Sequence, residues 1–159
     1  MGHETVKLWS EQYKEYIDID KGIAPLIAEL WKAKILTTMS CESVESPFGT
    51  VESYIWITFD SDRDLEKFTG IVFKGLDNEC DFYVRASNNF SKSRYRWEYR
   101  VFINTDADKR GDIIHDTYIY QQLRFPKRDY LPILDAILKY NITHNSVNGE
   151  YEKMMDSML

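Results

Sequence analysis

The sequence predicts an α+β domain: an antiparallel or mixed sheet with helices packed mainly on one face, in a two-layer sandwich. Three observations carry this reading. Apolar residues recur at helical spacing in two segments, Ile23, Leu26, Ile27, Leu30 and Trp31, then Tyr130, Ile133, Leu134, Ile137 and Leu138. Between them lie runs rich in β-branched and aromatic residues, bounded by turn residues. The order helix, hairpin, helix, three strands, helix lacks the strand–helix alternation of a parallel sheet.

Taken in order, Val6, Trp9, Tyr13 and Tyr16 stand three and four apart and predict a first helix. Tyr16 to Asp20 alternates apolar and acidic residues and reads as a short strand or an extended lead-in. The helix from Ile23 has Asp20 and Gly22 as N-cap candidates, and Pro25 fits only its first turn. Ile35 to Val44 and Val51 to Phe59 read as a hairpin, turned at Pro47, Phe48 and Gly49. Ser61 and Asp64 have capping-box spacing before a helix carrying Leu65, Phe68 and Val72 and closing near Gly75. Strands follow at Phe82 to Arg85, Arg94 to Thr105 and Thr117 to Phe125, the last stopped by Pro126. Asp129 caps the final helix. Residues 1–144 are expected to form one domain, and 145–159 a C-terminal tail, polar and then Met-rich, suited to docking or to covering the core. The segments after Pro25 and Pro132 echo one another, as two amphipathic helices with proline in the first turn do by chance.

The charge balance narrows the partners. A net charge of −6 offers no general attraction for phosphate, so nucleic acid is not expected as a partner of the whole domain. Two cysteines, Cys41 and Cys80, make no disulfide framework, and a reduced, intracellular setting is expected. The start M-G-H-E-T-V-K has no apolar core, so no signal peptide is expected, and no apolar run approaches the ~20 residues that a membrane span needs.

Two surfaces are candidate sites. At the first, Thr38, Ser40, Cys41 and Glu42 crowd a strand end. Strand alternation puts Thr38, Ser40 and Glu42 on one face and Thr37, Met39 and Cys41 on the other. The ordinary reading buries Cys41 and Met39 in the core; a reactive cysteine would need a base or cation nearby, and His3, His115 and His144 are all distant in sequence. At the second, Arg94, Arg96, Glu98 and Arg100 alternate with Tyr95, Trp97, Tyr99 and Val101. Five basic residues against one acid between Arg85 and Arg100 make this strand cationic in an acidic chain. Its arginine face suits an acidic partner or an anionic ligand, or is simply the solvated side of a half-buried strand.

Other chemistries find no pattern. Asp106, Asp108, Gly111 and Ile113 match part of a calcium loop, but Arg110 and Thr117 stand where ligands are required. Asp60, Asp62 and Asp64 suit the first turn of the following helix. No phosphate loop, nucleophile elbow or zinc spacing is present, so neither a cofactor nor a metal is expected.

The segment D-K-G-I-A-P-L-I-A-E-L-W from Asp20 to Trp31, the strand T-T-M-S-C-E that includes Thr38 to Glu42, and Ile57 to Phe59 resemble a pattern in small uncharacterised proteins of phages and giant DNA viruses: D-x-G-I-A-P-L-I-x-x-L-W, T-x-x-S-C-E/Q, and I-x-F. The likeness covers the first 60 to 75 residues. It departs at Lys34, where the pattern more often has glycine. T-T-M-S-C is also similar to the T-T-S-S-C of a tRNA-modifying wybutosine-pathway family, without the glycine and arginine that follow there. The viral resemblance implies a viral protein of unknown role and supplies no catalytic residue.

The expectation is therefore a non-enzymatic intracellular module, in host cytoplasm or nucleus, that binds a host or viral protein through the Arg94–Arg100 face. The alternative is a small-molecule or nucleotide-binding domain, enzymes included, with its pocket at Ser40–Glu42. A homodimer paired through an exposed strand is a further expectation.

Overall fold

The computed structural model describes residues 2–47, 49, 51–76, 97–107 and 113–158. The first predicted helix is not formed. Thr5–Ser10 (β1) and Glu15–Asp20 (β2) pair antiparallel, with Val6 opposite Ile19 and Leu8 opposite Ile17. The period that wins is two: these four side chains share the face turned to the core, where Ile19 is buried. Trp9 and Tyr16 face the other way and meet edge to face at 5.1 Å. Lys14, at φ 54°, closes the connection.

The helix Ala24–Lys32 (α1) buries Ala24, Leu26, Ile27 and Leu30. Ile23, rather than Asp20 or Gly22, is its N-cap, and no side chain caps it. The Ile23 amide donates to the Asp20 carbonyl at 3.1 Å. The Asp20 carboxylate is thereby left for another task. At the other end the Ile35 amide reaches back to the Leu30 carbonyl at 2.9 Å and the Lys34 amide to the Trp31 carbonyl at 3.0 Å. That pair of bonds requires a left-handed residue between helix and strand. Lys34 supplies it at φ 63°.

Thr37–Val44 (β3), Tyr54–Phe59 (β4), Glu98–Ala107 (β5) and Ile113–Pro126 (β6) form a second antiparallel sheet in the order β3-β4-β6-β5. The calcium-like segment thus begins inside β5, with Asp106 and Ala107; 108–112 lie outside the described residues, as do Cys80 and the strand expected at 82–85. Asp62–Leu76 (α2) follows β4. The expected capping box forms there, with Ser61 Oγ donating to Asp64 at 2.7 Å and accepting from the Asp64 amide at 3.3 Å. After a short 3-10 turn at Lys127–Asp129, the helix Tyr130–Met158 (α3) runs through the segment expected as a tail.

One face of this sheet meets the helices. Ile55, Ile57, Phe59, Leu123, Phe125 and Trp97 join the buried residues of α1, α2 and α3 in one apolar cluster. The Trp97 indole donates to the Asp129 carboxylate at 2.7 Å, so Asp129 anchors β5 to the start of α3. The opposite face carries Trp56, Thr58, Gln122, Arg124, Glu98 and Arg100 in cross-strand register. The architecture is the expected α+β fold. Among the described residues, no helix is long and apolar enough to cross a membrane.

Two predictions follow from the α1 connections. A non-glycine residue in the left-handed region costs roughly 1 kcal/mol, so Lys34→Gly should raise the unfolding free energy by about that much and move the urea midpoint upward; a lower midpoint would contradict this reading of the helix stop. Glu29, on α1, accepts from Lys32 at 2.9 Å and from the Asn141 amide of α3 at 2.8 Å. Burial pushes its carboxyl up, but the Lys32 and Asn141 hydrogen bonds and the Lys32 charge hold it below its ordinary value. A depressed folded pKa contributes stability above the unfolded value and loses it as pH falls through the folded value. The stability gap between the native chain and Glu29→Gln should therefore close on acidification through the carboxylate range. Urea unfolding at neutral and acid pH checks this, and a gap independent of pH would refute it.

Candidate functional site

β3 is an edge strand, and part of its backbone faces the β1–β2 hairpin instead of another strand of its sheet. Asp20, the last residue of β2, uses its carboxylate there. Its Oδ2 accepts from the Glu42 amide at 2.9 Å and from His3 Nδ1 at 2.8 Å. Cys41 Sγ lies 3.7 Å from the same His3 nitrogen, and Glu42 Oε1 lies 4.0 Å from it. Four side chains from three segments thus meet at one imidazole nitrogen. His3 is 32% exposed, Asp20 15% and Glu42 22%, so the group opens to solvent while sitting mostly in protein.

The local backbone explains how neighbouring residues reach one place. β3 is irregular between Thr37 and Met39 and between Cys41 and Val44. Thr37 pairs with Phe59 on the helix side, whereas Met39 pairs with Thr58 and Cys41 with Trp56 on the other. An inserted residue shifts the strand's parity. This corrects the expectation that Thr37, Met39 and Cys41 share a face. Cys41 and Met39 do not enter the core either: Cys41 is half-buried and Met39 is 51% exposed.

Gly22 completes the arrangement. A Cβ on Gly22 would stand 1.9 Å from Glu42 Oε2, so the absence of a side chain lets the Glu42 carboxylate lie across the start of α1. A cavity of about 220 Å³ adjoins it, bounded by Gly22, Ile23, Glu42, Ile55, Lys127 and Tyr130. A larger cavity of about 630 Å³ lies between the hairpin and α1, with Trp9, Trp31, Lys32 and Lys34 in its wall.

Electrostatics restrict the chemistry. Burial raises the Asp20 carboxyl, but the Glu42 amide, His3 and Cys41 outweigh it and leave it below its ordinary value. Burial pushes the Cys41 thiol up, and the Asp20 and Glu42 charges add to that shift. A nucleophilic cysteine needs the opposite shift. Cys41 therefore has a histidine beside it without being an activated nucleophile.

The other sequence candidates are placed differently. Thr38 and Ser40 are half-buried on β3, and the Thr38 hydroxyl has no hydrogen-bond partner among the described residues. Arg100 lies on the face away from the helices, where its guanidinium pairs with Glu98 through two nitrogens. Arg124 stands on that same face and donates to Gln122 at 2.8 Å. Arg94 and Arg96 lie outside the described residues. His3 and Asp20 are the site residues that the motif at Thr38–Glu42 did not reveal. Asp20 was read there only as an N-cap candidate, and His3 lay too far from the motif in sequence to be read with it.

Against known proteins, the chain is 34% identical over 144 residues to the uncharacterized protein R428 of Acanthamoeba polyphaga mimivirus. The match spans 90% of this chain and 72% of the relative. The chain belongs to the family of that mimivirus protein. Membership in a viral uncharacterised family, implied by the motifs, thus holds across most of the chain. No family model matches the chain, and no solved structure matches it.

Gly22→Ala should keep the fold, because the group it meets is the far end of a flexible side chain. The unfolding free energy should change by less than about 1 kcal/mol, while the Glu42 carboxylate swings away from His3. A crystal structure of the variant reads the displacement. A variant that fails to fold, or a carboxylate left in place, would show that Gly22 has another role.

Proposed function

We propose that the chain is an intracellular viral binding domain that takes a small ligand where the N-terminal segment, the end of β2 and the end of β3 meet. The observation that carries this is the convergence of His3, Asp20, Cys41 and Glu42 on one point from segments far apart in sequence. Two carboxylates, a thiol and an imidazole make a site rich in acceptors. It complements a cation or a ligand bearing several donors rather than a phosphate. The raised Cys41 thiol favours binding over covalent catalysis.

Capture of a host or viral macromolecule by the arginine face stands second. Arg100 already holds Glu98 as a two-pronged partner, which lowers the positive field it offers an acidic surface. The free-thiol setting of Cys41 supports the intracellular assignment.

Differential scanning of the full chain against amines, amino acids and nucleotides, each with and without divalent cations, tests the reading. At least one ligand should raise the thermal midpoint of the native chain, and the shift should vanish in both His3→Gln and Cys41→Ser. No shift from any ligand, together with a lysate partner held by the native chain and lost by Arg100→Glu, would transfer the function to the arginine face.

A further inference from the structure

We infer that His3, Asp20 and Cys41, with Glu42 beside them, form a binding site for a divalent transition-metal ion of the zinc class. The inference deepens the ligand site proposed above and rests on it. His3 Nδ1, a carboxylate oxygen of Asp20 and Cys41 Sγ all lie within 4.8 Å of one another. Nitrogen, thiolate sulfur and carboxylate oxygen are the donors that zinc accepts, and the mixture excludes the hard oxygen shells of calcium and magnesium.

The spacing fits the ion. Zinc bonds of roughly 2.3 Å to sulfur and roughly 2.0 Å to nitrogen, set at tetrahedral angles, place those donors about 3.5 Å apart. The Cys41 sulfur and His3 nitrogen are 3.7 Å apart. His3 Nδ1 and Asp20 Oδ2 stand at hydrogen-bond distance, 2.8 Å. An ion between them requires that pair to open by about 0.5 Å. These three donors leave a fourth position for water or for Glu42, whose Oε1 lies 4.0 Å from the same nitrogen.

Two further observations point to a cation. Among the described residues, His3 is the one basic side chain within 4.0 Å of the Asp20 and Glu42 carboxylates, so two half-buried acids face one imidazole. The bare Cα of Gly22 leaves room for Glu42 Oε2, while Oε1 of the same carboxylate lies toward His3. Asp20 is already fixed by the Glu42 amide at 2.9 Å, an outer bond of the kind that orients metal ligands. On binding, the thiol proton leaves to solvent as the sulfur–metal bond forms, and the Nδ1 proton that His3 donates to Asp20 in the empty site moves through solvent to Nε2, leaving the Nδ1 lone pair toward the ion. The filled site ties the N-terminal segment and β2 to the β3 edge.

The test is titration of the full, metal-stripped chain with Co²⁺, followed by displacement with Zn²⁺. One equivalent of Co²⁺ should give a thiolate-to-cobalt charge-transfer band and the visible transitions of a tetrahedral ion, and one equivalent of Zn²⁺ should abolish both. Cys41→Ser should remove the charge-transfer band, and His3→Gln should weaken uptake at least tenfold. Arg100→Glu, away from the cluster, should bind as the native chain does. Circular dichroism of each variant verifies folding. A mass spectrum of Zn²⁺-loaded native chain, taken under non-denaturing conditions, gives the stoichiometry without any variant. Absence of the charge-transfer band, or uptake unchanged in both Cys41→Ser and His3→Gln, overturns the metal assignment. If a metal-free amine or nucleotide still stabilises the chain through His3 and Cys41, only the metal is wrong. If no ligand does, the site itself falls.

Discussion

The Asp20 carboxylate is the joint on which the arrangement at the β3 edge depends. A single oxygen accepts the Glu42 amide and the His3 imidazole. An edge strand presents backbone groups that would otherwise recruit another chain. Here a side chain from the neighbouring hairpin occupies one of them. Because the Ile23 amide takes the Asp20 carbonyl, the same residue begins the turn into α1 while its carboxylate reaches sideways to β3. The hairpin, the first helix and the sheet edge are therefore positioned together. The side chains gathered around His3 inherit that geometry.

The two faces of the four-stranded sheet divide the work of the fold. One buries Ile55, Ile57, Phe59, Leu123 and Phe125 against three helices, and this is where the apolar driving force lies. The other carries a row running from Cys41 through Trp56 and Arg124 to Glu98. Beside it, Gln122 donates to Thr58 at 3.2 Å, so buried polar groups on that face satisfy one another. Cys41 stands at the end of this row nearest the hairpin. The face without helices thus runs into the candidate site, and its arginines lie across the sheet from the thiol rather than beside it.

The chemistry of the cluster follows from its charge. A cysteine next to histidine invites comparison with covalent catalysis, but two carboxylates at the same point reverse the electrostatics that a thiolate nucleophile needs. The same carboxylates suit an ion that supplies the missing positive charge. Family membership with a mimivirus protein places the fold among viral proteins but carries no role for these residues.

Helices α1 and α3 were legible because their apolar residues repeat with a period only a helix satisfies, and the β3–β4 hairpin because its aromatic and β-branched runs flank a turn. The first segment was not. Val6, Trp9, Tyr13 and Tyr16 fit a helix by spacing, while Val6 with Leu8 and Ile17 with Ile19 fit two strands, and only the presence of a surface to cover selects the second pattern. Lys34 shows the reverse case: its own sequence gives no turn signal, and the structure reveals a left-handed turn of the kind that favours glycine. At the site, T-T-M-S-C-E announced a crowd of polar side chains. His3 lies 38 residues before Cys41, and Asp20 lies 22 before Glu42. Local sequence determined the three helices and the β3–β4 hairpin, because periodicity and turn chemistry act over a few residues. The meeting of His3, Asp20, Cys41 and Glu42 was decided only by tertiary structure, because it depends on which strand edge the hairpin covers and on bulges that reset which way β3 side chains point.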